Sequence, residues 1–316
     1  MTPEFDVIAL GETMLSLVAT DGPLTSATAF HATHGGAESN TCVGLVRLGH
    51  PTAWIGRLGA DAIGDRVASA LAAEGIDLRW VVRDPAHPTG VMIRDTMGAV
   101  TYRRAGSAAA AMMPADLDGI PVDRSRAVVV TGVTALLGEG PQRTALALLE
   151  TATGLRVVDP NLRPGLWGSD RATELIRPML ERCDLLMGGE IELSSLMGTA
   201  EQGEALARRC GELGPREVVI KRGTAGAGVL DEEARWIEHV GERGEDVDPV
   251  GAGDAFNAGY IDARLSGRSV AEALTQGAAC GAAVASTLGD CDGFPRRVAP
   301  APATHPNSKE GVNDGA

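Results

Sequence analysis

Short apolar runs alternate along the chain with longer stretches in which apolar residues recur every three or four positions. The runs are typical of buried strands, and the longer stretches are typical of helices with one apolar face. The pattern predicts strands at 5–10, 53–55, 78–82, 127–131, 155–159, 185–187 and 217–221. It predicts helices at 37–48, 62–74, 142–152, 172–182, 190–197, 201–213, 252–265 and 270–285. This alternation indicates a doubly wound α/β fold with a mainly parallel sheet flanked by helices.

Three parts of the chain depart from the alternation. Residues 90–94 and 99–104 flank a turn at 95–98, so they predict a hairpin rather than a helical crossover. A second irregular stretch lies earlier in the chain. The strands near 13–34 and 89–105 are predicted to form a small β-sheet lid. This lid is inserted in a single domain that spans residues 1–295. Residues 227–240 predict a further antiparallel piece. The tail, 296–316, is rich in Pro, Ala, Asn and Gly without periodicity, so it is predicted to be disordered.

The charge and the cysteines limit the classes of partner and compartment. The formal net charge of -14 argues against a nucleic-acid-binding surface and means that anionic ligands need locally placed cations. No run reaches the roughly 18 apolar residues of a membrane span, so no membrane partner is predicted. The 5 cysteines are scattered and have no C-x-x-C spacing, which predicts reduced thiols in a cytoplasmic protein.

The most informative stretch is 248–260, where glycines come directly before a predicted helix. Helix N-termini expose unpaired N–H groups and carry the positive end of the helix dipole, so Gly251, Ala252 and Gly253 are predicted to hold a phosphate or a developing negative charge. We call these three residues the anion loop. Asp254 follows at once and is predicted to be a general base that takes a proton from an attacking hydroxyl. The alternative is that Asp254 is only a first-turn acid favoured by the dipole.

Residues 248–254 read DPVGAGD, which resembles the C-terminal signature of the PfkB, or ribokinase-like, family of carbohydrate kinases. That family commonly has threonine where this chain has Pro249. A second segment, 35–40, reads GGAESN and is similar to the family's N-terminal signature. The resemblance implies a ribokinase-like fold with a β-sheet lid, ATP and Mg²⁺ as cofactors, and sugar contacts from Gly35, Gly36 and Asn40. A buried asparagine with no ligand would also leave donors unpaired, which favours a polar substrate here.

The resemblance assigns nucleotide and metal roles to two further segments. Residues 221–228 are similar to the family's nucleotide loop, which implies nucleotide contacts from Lys221, Gly223, Gly226 and Gly253. An antiparallel strand is predicted to follow this loop, so it is not a dinucleotide-binding fingerprint, and the chain has no Walker A motif. Glu192 matches the glutamate that positions magnesium through water in the family. Gly189 replaces the family's asparagine.

Other segments resemble 2-keto-3-deoxygluconate kinases within that family. Residues 101–109, 159–167 and 289–295 carry this likeness, and the start at 11–14 shares it. It implies substrate contacts from Tyr102, Arg104, Arg163 and Asp290. A sugar with a carboxylate could use Arg104 and Arg163 as a charge-assisted clamp.

Three readings of function therefore follow from the sequence. The first is an ATP-dependent kinase of a sugar acid, most favourably 2-keto-3-deoxygluconate, with transfer to a primary hydroxyl. The second is a kinase of a neutral sugar, such as fructose or ribose, or of a nucleoside. The third is a regulator that binds sugar or nucleotide without turnover, which the change at Gly189 keeps open. Exposed edges of the lid strands predict a homodimer formed through the lid.

Overall fold

The structure is a computed structural model that describes residues 4–163, 165, 169–241 and 247–297. The strands are β1 (Val7–Leu10), β2 (Met14–Ala19), β3 (Phe30–Gly35), β4 (Thr52–Ile55), β5 (Arg57–Gly59), β6 (Val82–Asp84), β7 (Val91–Arg94), β8 (Val100–Arg103), β9 (Ala127–Thr131), β10 (Leu155–Asp159), β11 (Leu185–Gly189), β12 (Glu217–Lys221), β13 (Gly226–Leu230) and β14 (Trp236–Val240). The helices are α1 (Ala37–Arg47), α2 (Ala62–Ala73), α3 (Gly132–Ala135), α4 (Glu139–Thr151), α5 (Asp170–Leu180), α6 (Glu190–Leu196), α7 (Gly203–Gly211), α8 (Ala252–Leu265) and α9 (Val270–Ala285).

Eight strands form the main sheet, in the order β14-β13-β12-β11-β10-β9-β1-β4. Neighbouring strands in the part of the sheet that runs β4-β1-β9-β10-β11-β12 pair in parallel. Strand β13 pairs antiparallel with β12, and β14 pairs antiparallel with β13. The predicted doubly wound, mainly parallel fold is therefore confirmed. Parallel strands bring their carboxyl ends to one edge of the sheet, which is where ligands bind in such folds.

Helices cover both faces of the main sheet. Successive residues of a strand point to opposite faces, and in β1 Val7 and Ala9 belong to one apolar cluster while Ile8 and Leu10 belong to another. The first cluster contains buried residues of α1, α8 and α9, and the second contains those of α4, α5 and α7. Because both faces are buried, the central strands read as continuous apolar runs.

A separate four-stranded sheet, in the order β3-β2-β7-β8, forms the predicted lid. The predicted hairpin is confirmed, because β7 pairs antiparallel with β8 and Arg94 lies opposite Val100. Strands β2 and β7 pair in parallel at the centre of this sheet. The inward side chains of β7 are Met92 and Arg94, both buried.

The prediction of a strand at 78–82 is wrong. Leu78 starts a turn in which the Val81 N–H donates to the Leu78 carbonyl, and β6 begins only at Val82. Leu78 and Val81 pack against the core as partly buried residues. The apolar residues there therefore belong to a turn that packs against the core. Periodicity alone does not distinguish such a turn from a short strand.

The predicted disordered tail falls almost entirely outside the described residues. Its first two residues are described, and the Arg297 N–H donates to the Arg47 carbonyl at 2.8 Å. Within the described part of the chain, no helix is long and apolar enough to cross a membrane.

Candidate active site

The anion loop lies at the N-terminus of α8. Gly251 is the N-cap and has a φ of 86°, in the left-handed region that favours glycine. A Cβ at this position would also overlap the backbone carbonyl of Asp290. At Gly253 an added Cβ would fit without overlap, since its nearest neighbour is Lys221 Nζ at 3.6 Å, an ordinary van der Waals distance. The loop therefore requires glycine at its first residue and has room for a small side chain at its last.

The carboxylate of Asp254 lies in the first turn of α8 and is only 6% exposed. Its Oδ2 accepts a hydrogen bond from Asn40 Nδ2 at 2.8 Å, and its Oδ1 accepts one from Asn161 Nδ2 at 3.3 Å. Burial raises the pKa of Asp254 to about 7, although the Asn40 hydrogen bond and the charge of Arg163 lower it. A carboxylate that titrates near neutral pH has the basicity that a general base needs.

The argument from unpaired donors applies to at most one of the two N–H groups of Asn40. Its Nδ2 is bonded to Asp254, and its Oδ1 accepts a hydrogen bond from Cys291 Sγ at 3.2 Å. Both ends of the amide are therefore occupied, and the Cys291 contact orients the N–H toward the carboxylate. In this structure Asn40 acts on the candidate base, and its predicted sugar contact stays a prediction.

A cavity of about 300 Å³, which we call the lid cavity, lies between the lid and the anion loop. Glu12, Arg94, Asn161, Gly251 and Gly253 line it. Every residue predicted to contact substrate or to act as base also lines it, namely Gly35, Gly36, Asn40, Tyr102, Arg104, Arg163, Asp290 and Asp254. A volume of this size suits a small polar metabolite.

Within the lid cavity Arg104 is already paired with an acid. Its Nη2 lies 2.5 Å from Glu12 Oε2, and its guanidinium carbon lies 5.6 Å from the centre of the Tyr102 ring. Ser107 Oγ donates to the other oxygen of Glu12 at 2.9 Å. Burial raises the pKa of Glu12, while Arg104 lowers it. Glu12 thus compensates the charge that Arg104 was predicted to offer a substrate.

A second cavity of about 250 Å³, the α9 cavity, lies on the other side of the anion loop. It contains all four residues predicted to contact nucleotide, Lys221, Gly223, Gly226 and Gly253, and it is walled by Thr275 and small residues of α9. Pro249 and Gly253 line both cavities. The anion loop is therefore the place where the two cavities meet.

Lys221 is bonded to buried polar groups at the junction. Its Nζ lies 2.7 Å from Asp159 Oδ2 and donates to Asn257 Oδ1 at 3.1 Å. Burial disfavours the charged amine, but Asp159 and Glu192 outweigh it and raise the pKa of Lys221. The amine is therefore a fixed positive charge near Gly253.

Glu192 lies behind this pair and lines neither cavity among the residues described. Its two oxygens accept backbone hydrogen bonds from Gly189 at 2.6 Å and Leu162 at 3.0 Å. Burial and the negative charge of Asp159 raise the pKa of Glu192, and Lys221 lowers it. In the described chain no three acidic, His or Cys side chains form a group that could hold a metal directly. The residues present therefore fit an ion that would be held mainly by phosphate oxygens and water, with few direct protein ligands.

Comparison with known proteins decides the family. The pfkB family carbohydrate kinase profile matches residues 4–297. The chain belongs to the pfkB family. It is 31% identical over 305 residues to 2-dehydro-3-deoxygluconokinase of Bacillus subtilis (strain 168), which covers 93% of this chain and 94% of that protein. It is 30% identical over 298 residues to 2-dehydro-3-deoxygluconokinase of Thermoproteus tenax, covering 92% of this chain and 91% of that protein.

Solved structures of pfkB relatives have the same fold. A PfkB protein from Polaromonas superposes with a TM-score of 0.81 at 37% identity, over 92% of this chain and 97% of that chain. The 2-dehydro-3-deoxygluconokinase of Thermotoga maritima superposes with a TM-score of 0.81 at 23% identity, over 91% of this chain and 95% of that chain. The second likeness is one of fold alone.

Sequence reasoning about this pfkB protein missed four residues that the structure places at the site. Glu12 and Arg94 line the lid cavity, Asn161 bonds Asp254, and Asp159 bonds Lys221. Asn161 also has a positive φ of 49°, which turns the loop after β10 toward the base. A signal existed for three of the four, since Asp159 is the last residue of β10, and Glu12 and Asn161 lie two residues after the ends of β1 and β10. The sequence contained no such signal for Arg94, because a charged residue in a short hairpin is usually solvated.

Proposed function

We propose that this protein is an ATP-dependent sugar kinase that transfers the γ-phosphoryl group to a primary hydroxyl of a sugar acid, most favourably 2-keto-3-deoxygluconate. The observation that carries the proposal is the junction of two cavities at Gly253, with the buried base Asp254 beside it. An acceptor in the lid cavity and a nucleotide in the α9 cavity would then meet across the anion loop. In-line phosphoryl transfer needs this arrangement.

The chain's own residues have distinct tasks in this reaction. Asp254 takes the proton of the sugar hydroxyl, and the Asn40 hydrogen bond keeps enough of the carboxylate ionised at neutral pH. The backbone amides of the anion loop stabilise the charge on the transferring group. Lys221 adds a buried positive charge close to the same point. Mg²⁺, held mainly by the phosphates and water, would neutralise the phosphate oxygens.

Two lines support a sugar acid as the acceptor. The curated relatives described above are named as 2-dehydro-3-deoxygluconokinases and cover more than nine-tenths of this chain. The lid cavity also contains Arg163, which is exposed at its edge and close enough to Asp254 to lower its pKa. We therefore assign Arg163 as the principal partner of a substrate carboxylate, with Tyr102 and Arg104 beside it.

A neutral sugar is the second candidate, and the Glu12–Arg104 ion pair favours it. Glu12 already occupies Arg104, so the pair presents both a donor and an acceptor, which suits hydroxyl groups. A fructokinase of Oryza sativa subsp. japonica is 28% identical to this chain over 311 residues. The two candidates differ in whether a carboxylate raises kcat/KM.

An ADP-release assay over aldonic acids, ketodeoxy acids, hexoses, pentoses and nucleosides, with and without Mg²⁺, tests the proposal. We expect turnover that requires Mg²⁺ and is fastest with a ketodeoxy acid. Product should carry the phosphate on the primary carbon, which NMR of the product verifies. Binding of sugar and ADP without any turnover would instead identify a non-catalytic regulator.

The proposal extends to assembly and compartment. The edge strands of the lid, β3 and β8, carry Phe30 at 40% and Val100 at 45% exposure, which supports a homodimer that pairs through the lid. Light scattering of the wild type and of a Val100→Lys variant tests this assembly, since the variant should be monomeric. All 5 cysteines are free and buried, which supports a reducing, cytoplasmic location.

A further inference from the structure

Arg94, the last residue of lid strand β7, connects the lid to the anion loop. Its side chain is 2% exposed, and its Nη2 donates to Asp248 Oδ2 and to Asp290 Oδ1, each at 2.7 Å. Asp248 stands three residues before Gly251, and Asp290 lies on the segment after α9. One nitrogen of one arginine thus joins three segments that are far apart in the chain.

Both aspartates contact the backbone of the anion loop or of the residues beside it. Asp248 accepts hydrogen bonds from the amides of Val250 and Gly289, each at 3.2 Å. The Asp290 carbonyl packs so closely on Gly251 that no Cβ fits there. The position of Arg94 therefore bears on where the amides of the anion loop point.

Stability alone does not explain this cluster. Arg94 Nε and Nη1 are buried and have no hydrogen-bond partner among the described residues. Each buried unpaired donor costs roughly 1–3 kcal/mol, and a buried ion pair is often no more stable than an apolar substitute. The formal charge is also unbalanced, with one guanidinium between two carboxylates. A cluster that is costly in these ways and reaches the candidate active site calls for a functional explanation.

We propose that Arg94 is a positioning residue for phosphoryl transfer, which fixes the anion loop relative to the lid through Asp248 and Asp290. The lid covers the sugar, and the anion loop faces the transferring phosphoryl group, so Arg94 makes the two binding events depend on each other. This inference rests on the proposed kinase function. It adds that sugar and nucleotide binding are coupled and names the side chain that couples them.

The test compares Arg94→Met with wild type by calorimetric titration of ADP, with and without saturating sugar. In wild type we expect sugar to tighten ADP binding by a factor of about 5 to 150, the usual range of coupling between sites. In Arg94→Met that factor should fall close to one, and kcat should fall by about 10- to 100-fold, as expected when a charge-assisted contact is lost. Arg94→Lys retains the charge between the aspartates and should restore most of the coupling.

Arg57 provides a matched control. It also bridges two aspartates, Asp84 and Asp116, with a side chain that is 12% exposed, and it lines neither cavity. Arg57→Met should lower the melting temperature while leaving the coupling factor unchanged. If Arg94→Met is unstable, the double variant Arg94→Met, Asp248→Asn keeps the formal charge of the cluster at one negative and serves in its place.

Three outcomes would overturn the inference. They are a coupling factor of one in wild type, a wild-type coupling factor in Arg94→Met, and a loss confined to KM for the sugar. The last would make Arg94 a direct sugar contact. Failure of the proposed function is seen separately, because wild type would then release no ADP with any sugar.

Discussion

The pH dependence of Asp254 gives the sharpest test of the candidate base. With a pKa of about 7, the carboxylate is half protonated near neutral pH. Only the ionised form accepts the hydroxyl proton, so kcat/KM for the sugar should fall as the pH decreases through 7. Below that point the slope of log kcat/KM against pH should approach one, while Asp254→Asn should be about 10²–10⁴ slower than wild type above pH 7 and should lack this slope.

Asn40→Ala is the perturbation that separates control of the base from contact with substrate. The Asn40 Nδ2 to Asp254 Oδ2 hydrogen bond is 2.8 Å long and lowers the pKa of Asp254. A hydrogen bond to a charged group contributes about 1.5–3 kcal/mol, which corresponds to a pKa about one to two units higher when the bond is lost. At pH 7, where wild type is half ionised, the variant should therefore be about 5- to 50-fold slower, and it should recover as the pH rises toward about 9.

The assay is the coupled ADP-release rate at subsaturating sugar, measured from pH 5.5 to pH 9.5 with the melting temperature followed in parallel. Asn161→Ala is the control, because its contact with Asp254 is longer, at 3.3 Å, and its loss should move the midpoint less. A loss in Asn40→Ala that is the same at every pH would refute this reasoning. It would show that Asn40 contributes by binding the sugar and not through the carboxylate.

Two further predictions concern the loop and the fold. Gly253→Ala should fold with an unchanged melting temperature, because its Cβ has room, but it should lose ATP affinity and kcat, because the Cβ fills the space above the loop. Gly251→Ala should fold poorly, because its Cβ overlaps the Asp290 carbonyl and its φ is positive. Melting curves followed by circular dichroism and titrations with ADP check both variants. His50 is buried, which disfavours its charge, but hydrogen bonds to Asp262 and Asp6 outweigh burial and raise its pKa above 6.5. The contribution of His50 to the stability of the fold is therefore complete below about pH 6.5 and is lost as the pH rises through its raised pKa. His50→Gln should lower the melting temperature more at pH 6 than at pH 9, and equal losses at both would contradict this.

Local sequence patterns were sufficient for the strands of the main sheet and for the position of the site at its carboxyl edge. Helices α8 and α9 have the bounds that apolar spacing predicts, 252–265 and 270–285. The loop after β10 follows a buried strand, a position typical of ligand sites in this fold, and the structure places Arg163 and Asn161 at the lid cavity. Such inferences succeed because strand ends and helix starts are local features with fixed directions in this fold.

Pairings between distant side chains could not be predicted in this way. Asn40 and Asp254 are 214 positions apart, and Arg94 and Asp290 are 196 apart. Residue types and spacing give the position of each group but not its partner, and the partner determines which charges remain available to a ligand. Arg104 therefore looked like a free cation in the sequence and is half of an ion pair in the structure.

That ion pair leads to a last prediction, on substrate choice. Glu12→Gln keeps the size of the side chain and its contact with Ser107 but removes the negative charge beside Arg104. If Arg104 helps to hold a substrate carboxylate, the variant frees one charge-assisted interaction of about 1.5 kcal/mol, so the ratio of kcat/KM for 2-keto-3-deoxygluconate over fructose should rise about tenfold. Measuring both substrates on the same variant cancels general damage to the lid. Adding Arg104→Ala to Glu12→Gln should return the ratio to its starting value or below. A ratio that Glu12→Gln leaves unchanged would mean that Arg104 serves only as the partner of Glu12, so that Arg163 alone would have to recognise a carboxylate.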